Sequence, residues 1–295
     1  MPGSTPASAP PEALLPVAGA DRRRPFRNPA AVAGLALTTV VVVVAVLAER
    51  IAPGSPFQTS PQDRFRSPSS GHPMGADQLG RDLFTGVVRG AHSSMRIVLG
   101  VVVISSAVGL LVGVVAGYRR GLVDDLAMRT IETLQSVPRF FLAVLVTGWF
   151  GTDASTLIVL LGLTSWPLLA RVVRAETMSL RQREFMVAAR AMGSTDRRIL
   201  LRHVLPNVAP AALVVIALTG SRVVLLEAGL AYLGLSDPNV PSWGALINNA
   251  QPYLQEAWWM SVFPGGAIAL SVYGMNLLSD GISRAFDPLA GSART

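Results

Sequence analysis

The 295-residue chain is 51% hydrophobic and only 15% charged, a balance that excludes a soluble domain and fits a protein that crosses a bilayer several times. It has no Cys, and its 25 basic residues are all Arg; disulfides, Cys metal sites, a Walker A loop with its Lys and Schiff-base chemistry are therefore excluded within this chain. The net charge of +7 would suit nucleic acid, but the positions of the Arg residues assign it to membrane topology instead.

Residues 1–20 are rich in Pro, Ala and Ser and read as disordered. The basic cluster Arg22, Arg23, Arg24 and Arg27 follows. A hydrocarbon core of roughly 30 Å needs about 20 helical residues, and six stretches qualify. The first, residues 30–50, is too long for a cleaved signal peptide and lacks a clear small-residue cleavage site. The second, residues 97–117, carries Ser105, Gly109, Gly113 and Gly117 at four-residue spacing. That small-xxx-small ridge predicts close helix packing, within the chain or against a second subunit.

The third span is expected over residues 131–150. Residues 138–150 alone would give roughly 20 Å of helix, too short to cross. The helix is therefore expected to begin earlier, kinked at Pro138, and to carry Glu132, Gln135 and Arg139 to the membrane on the face of Arg129. These charges read either as a solvated extension at the cytoplasmic surface or as an ion network at the pore or a subunit interface. The fourth, fifth and sixth spans are expected over 157–173, 207–233 and 258–278. Within the fifth, Arg222 and Glu227 lie five apart, roughly 140° around a helix of 3.6 residues per turn. Each should find a partner elsewhere or line a path. Trp243, Tyr253, Trp258 and Trp259 read as an interfacial aromatic belt.

With the N-terminus placed in the cytoplasm, 17 Arg fall on inside segments and six on outside segments, which sets the orientation. The C-terminal tail is then cytoplasmic as well. The densest inside segment is residues 184–206, EFMVAARAMGSTDRRILLRHVLP. Residues 184–192 are good helix formers, with Phe185, Ala188, Ala189 and Met192 as an apolar stripe. Gly193 can end that helix in a left-handed turn. Ser194 or Thr195 can cap the next one, with Asp196 in its first turn. A protein that only conducts or anchors has no need of such a helix–Gly–helix element, whereas one driven by a separate motor needs a handle.

This segment resembles the EAA loop of ABC importer permeases: Ala188-Ala189, Gly193 and Leu205-Pro206 fall at that family's spacing. From about His72 onward the chain resembles the C-type permease subunit of dipeptide, oligopeptide and nickel ABC importers. His72-Pro73-Met74-Gly75-Ala76-Asp77-Gln78-Leu79-Gly80-Arg81-Asp82 is similar to that family's HPxGTDxxGRD, with Ala76 in place of Thr. Further similarities are Ala170-Arg171 with Arg174, Ala188-Ala189-Arg190-Ala191, Arg202-His203, Leu205-Pro206-Asn207, Leu233-Gly234-Leu235, Ser242-Trp243-Gly244, Asn276 with Asp280-Gly281, and Asp287-Pro288. Val187 stands where the general EAA signature has Glu, and His203 where the wider class often has Ile.

The resemblance implies an all-α polytopic membrane protein of the type I ABC importer kind. It would have an N-terminal tail (1–29), a first span with an external segment (30–96), a transmembrane domain (97–283) and a C-terminal tail (284–295). It implies a bacterial inner-membrane permease for peptides, with no catalytic or metal site and no cofactor of its own. A second homologous permease would complete the pore. Two ATPase subunits would use ATP and Mg, and an extracytoplasmic substrate-binding protein would deliver cargo, with Trp243 a candidate contact. Glu184, Ala188, Ala189, Arg190, Gly193, Arg197, Arg198, Leu205 and Pro206 would form the ATPase-coupling element. Glu132, Arg139, Arg222 and Glu227 are candidates for a pore or ion network. An ion-coupled secondary transporter or channel using the same charges is the alternative.

Overall fold

The computed structural model describes residues 28–286. The N-terminal tail with Arg22 to Arg27, and Asp287-Pro288 and Arg294, lie outside the described residues. Nine helices position everything that follows: α1 (Pro29–Val46), α2 (Leu83–Arg119), α3 (Leu122–Ser136), α4 (Arg139–Phe150), α5 (Ala154–Arg181), α6 (Glu184–Ala191), α7 (Asp196–Tyr232), α8 (Trp243–Ala250) and α9 (Trp259–Phe286). Among the described residues, five of them (α1, α2, α5, α7 and α9) are long and apolar enough to cross a membrane.

The expected third span is not one helix. Val137 (ψ 125°) and Pro138 (ψ 120°) are extended between α3 and α4. Pro138 has no N–H to give, and its ring drives Val137 out of the helical region. The proline therefore breaks the helix rather than kinking it. The 12 residues of α4 cover only about 18 Å.

The ridge of small residues faces inward, along the seam between α2 and α5. A Cβ on Gly109 would stand 2.9 Å from the Leu169 side chain. On Gly113 it would meet the Ala170 carbonyl oxygen at 2.6 Å, and on Gly117 the Arg174 carbonyl oxygen at 2.7 Å. Ser105, the fourth member, is buried. A bidentate ion pair joins the same seam to α3: Arg174 donates through Nη2 to Asp124 Oδ2 at 2.6 Å and through Nε to Oδ1. On the other side of the bundle α1 lies on α9, with Gly34 against the backbone of Leu278 and Gly281 against Ala31. Ser279 of α9 donates to the Val214 carbonyl of α7 at 3.1 Å.

The segment around residues 72–82 is a clamp for the start of α2. Asp82 Oδ2 accepts from the Thr85 N–H at 2.8 Å and its hydroxyl at 2.7 Å. His72 Nδ1 sits 3.1 Å from the other Asp82 oxygen. Asp77 Oδ1 accepts from the N–H groups of Leu79 and Arg81, each at 2.8 Å.

Two of the tryptophans do not form a belt. Trp243 is 2% exposed and its indole donates to the Val87 carbonyl at 2.9 Å. Trp259 is also buried and donates to the Ala76 carbonyl at 3.1 Å. An indole at an interface would have its N–H in water; here α8 tucks back against α7, with Gly244 against the Ala228 carbonyl, and the N–H needs a carbonyl instead. Trp243 is therefore corrected from candidate partner contact to core anchor. Trp258 and Trp149 remain exposed.

Candidate functional site

At one end of the bundle, the chain leaves α5 and forms α6 before α7 begins. Glu184 lies in the first turn of α6, where its charge suits the helix dipole. The helix ends in a paired hydrogen-bond closure: Gly193 N–H reaches the Arg190 carbonyl at 2.9 Å and Ser194 N–H the Ala189 carbonyl at 3.1 Å. That closure needs a left-handed residue, and Gly193 has φ +77°, as its side-chain-free backbone permits.

The apolar stripe divides. Met186 and Ala189 are buried, and Met186 packs with Val114, Tyr118, Leu180, Ile199 and Val204. Ala188 is exposed with Phe185, Val187 and Met192, the last at 79%. One face thus anchors α6 and the opposite face offers an apolar patch. Arg197, Arg198, Leu201 and Arg202 are exposed nearby on α7. An apolar centre with charged surroundings is the anatomy of a protein-binding surface.

α7 begins at Asp196, with Thr195 at its N-cap as expected, and runs on without a break through Leu205-Pro206 into the expected fifth span. A π segment, Leu200–Val204, lies within it, and the Leu205 N–H bonds to the Leu200 carbonyl. Pro206 cannot donate into an α-helical ladder, and the wider turn carries the helix past it. The extra residue also brings both Ile199 and Val204 inward, five apart, and both are fully buried. The ring of His203 packs 6.2 Å from that of Phe185.

Tyr118, at the end of α2, escaped sequence reasoning because a single Tyr carries no pattern. Its hydroxyl donates to Asp196 Oδ1 at 2.5 Å, and its carbonyl accepts from Arg181 Nη1 at 2.7 Å. The guanidinium groups of Arg181 and Arg190 lie 5.7 and 5.6 Å from the ring centre, within cation–π range. Arg190 is therefore turned toward the bundle, while Arg197 and Arg198 face outward. Thr195 occupies the N-cap of α7 without a side-chain hydrogen bond, and Asp196 ties the first turn to Tyr118 instead. Tyr118→Phe is expected to cost about 1 kcal/mol of local stability, one hydrogen bond to a partly exposed carboxylate. Faster amide exchange in α6, with the α2–α5 seam unchanged, would be the reading.

The four intramembrane candidates separate. Arg139 and Arg222 line one cleft with Leu161, Ser165, Thr219 and Val223. Glu132 is exposed on α3, cut off from Arg139 by the break at Pro138. Glu227 is 2% exposed inside the bundle, and its Oε2, like the Ser94 hydroxyl, has no hydrogen-bond partner among the described residues. His72 and His92 are held apart, His92 by the Ala45 carbonyl at 3.0 Å.

Residues 109–291 match the family described as binding-protein-dependent transport system inner membrane component, and residues 22–68 match the N-terminal TM domain of oligopeptide transport permease C. A Brucella suis protein named as a peptide transport system permease is 38% identical over 90% of this chain and 88% of its own length. The dipeptide transport system permease protein DppC of Alkalihalophilus pseudofirmus is 33% identical over 89% of this chain and 86% of its own. A chain of the MetNI methionine ABC transporter, in inward-facing conformations, superposes with a TM-score of 0.55 at 20% identity, covering 68% of this chain and 95% of that one.

Proposed function

Because the chain belongs to the binding-protein-dependent transport system inner membrane component family and is an ABC transporter permease subunit, we propose that it forms half of the translocation pore of an ATP-driven peptide importer. Family membership displaces the ion-coupled alternative. A homologous permease completes the pore, two ATPase subunits supply the work with ATP and Mg, and an extracytoplasmic binding protein delivers the cargo. The names of the relatives support peptides as that cargo. The α6 end of the bundle and both chain termini face the cytoplasm, in line with the excess of Arg there. This subunit carries no catalytic centre of its own.

One observation carries the proposal: α6 presents an exposed apolar face while its other face is locked into the bundle through Met186 and Tyr118. A handle must be anchored on one side and free on the other, so that a push is transmitted rather than absorbed. The ATPase face then comprises Phe185, Ala188 and Met192 at its centre, with Arg197 and Arg198 beside it. Glu184 and Gly193 bound the helix, Ala189 and Arg190 hold it from behind, and Leu205 and Pro206 carry the motion into α7. Motor binding that differs between two nucleotide states would bias the helices between two arrangements.

The test is to extract the tagged chain gently from native membranes and assay its partners and ATP hydrolysis. A second permease and ATPase subunits should co-purify, with hydrolysis stimulated by a peptide-loaded binding protein. A chain recovered alone, with no nucleotide-dependent activity, would overturn the reading.

A further inference from the structure

Arg139 is the first of the 12 residues of α4, which places it about 17 Å along the helix axis from Phe150 at 1.5 Å per residue. Arg222 precedes the α7 terminus at Tyr232 by ten positions, or about 15 Å. Each Arg thus stands from the end of its own apolar helix by about half the thickness of a roughly 30 Å hydrocarbon layer. They line one small, partly open cleft together with the hydroxyl residues Ser165 and Thr219. Among the described residues neither guanidinium has a carboxylate within ion-pair distance. Arg222 is exposed, as are Val137 and Pro138 at the helix break.

Lipid cannot accept that surface. Two guanidinium groups set that far from the ends of apolar helices are costly against hydrocarbon. Extended backbone at that level is tolerated only against protein or water. Covered in the importer by water or by the second permease, this wall carries two positive charges with no acidic partner among the described residues, beside two hydroxyl residues. The ligand that fits is a carboxylate, which Arg binds through parallel N–H donors.

We infer that Arg139 and Arg222 form a transient station for the C-terminal carboxylate of a passing peptide. The inference rests on the peptide reading above. Every linear peptide with a free C-terminus carries that carboxylate whatever its side chains, so the station recognises the class without reading its sequence. A partly open cleft suits a site that must both accept and release.

The experiment uses the complex purified from native membranes and placed in liposomes. Arg modification by phenylglyoxal is followed residue by residue by mass spectrometry with dialanine, dialanine amide or acetate present. Saturating dialanine or acetate should slow modification of Arg139 and Arg222 about tenfold, the effect of nine-tenths occupancy. The amide should not, and the exposed Arg50, outside the cleft, should react alike in all cases. Equal protection by the amide, equal protection at Arg50, or no protection overturns the inference. Uptake of dialanine by the same liposomes tests the peptide reading separately. Without uptake but with acetate protection, the peptide reading falls and the carboxylate station stands for another cargo. Where uptake occurs, R139Q/R222Q should lower it about tenfold while R139K/R222K restores part of it; an unchanged rate in R139Q/R222Q also overturns the inference.

Discussion

Ala188→Glu is expected to abolish ATP-driven uptake while leaving the subunit folded and in the membrane. Ala188 is exposed on the free face of α6, between Phe185 and Met192, so a longer side chain meets nothing in this chain. In the assembled importer the same position would sit within the ATPase contact. A carboxylate buried there without a partner costs about 3 kcal/mol or more, which is over 100-fold in binding. Uptake should fall by that order, and ATPase subunits should be lost during purification. Ala188→Ser, which adds a single hydroxyl, should stay close to the unmodified protein. A Glu variant that retains its ATPase partners and transports normally would show that the motor grips elsewhere.

Gly113→Leu should instead prevent the subunit from accumulating at all. At this point α2 and α5 are so close that even a Cβ would meet the Ala170 carbonyl oxygen at 2.6 Å and the Val173 Cβ at 2.8 Å. Backbone cannot swing aside as a flexible side chain can. Relief requires two extensively packed helices to separate along the whole ridge, at the upper end of overpacking penalties, about 3 kcal/mol. Gly148 of α4 has nothing within 4 Å of the place a Cβ would take, and Gly148→Leu serves as the contrast. Membrane abundance and the thermal melting of the purified complex report the difference. Equal abundance and melting of the two variants would show that the seam yields more readily than its geometry implies.

These two sites differ in how far their roles could be read before the fold was seen. The ridge was legible as a packing surface because four-residue spacing places small residues on one helix face. Its partner was not, since periodicity defines a face and not what lies opposite. In residues 184–206 the helix, its end at Gly193 and the start of the next helix were all legible, because they follow local propensity and turn chemistry. The division of the stripe was not. Met186 rather than Ala188 turns inward because the cluster around Val114 and Ile199 lies on that side. Tyr118, which joins four helices, left no trace in the pattern.

From the sequence alone came the membrane class, the approximate spans and the helix–Gly–helix element of residues 184–206. Each depends on local quantities: apolar length against bilayer thickness, Arg placement, helix-ending residues. Tertiary structure decided that Pro138 ends a helix while Pro206 is carried through one, because a π turn and surrounding packing can absorb one missing donor and not the other. It decided that Trp243 is a core residue, since α8 folds back and puts the Val87 carbonyl within reach of its indole. It also brought Arg139 and Arg222, 83 positions apart in the numbering, to one cleft and left Glu132 and Glu227 outside it. Such meetings are made by helices packing across the bundle, and no window along the chain contains them.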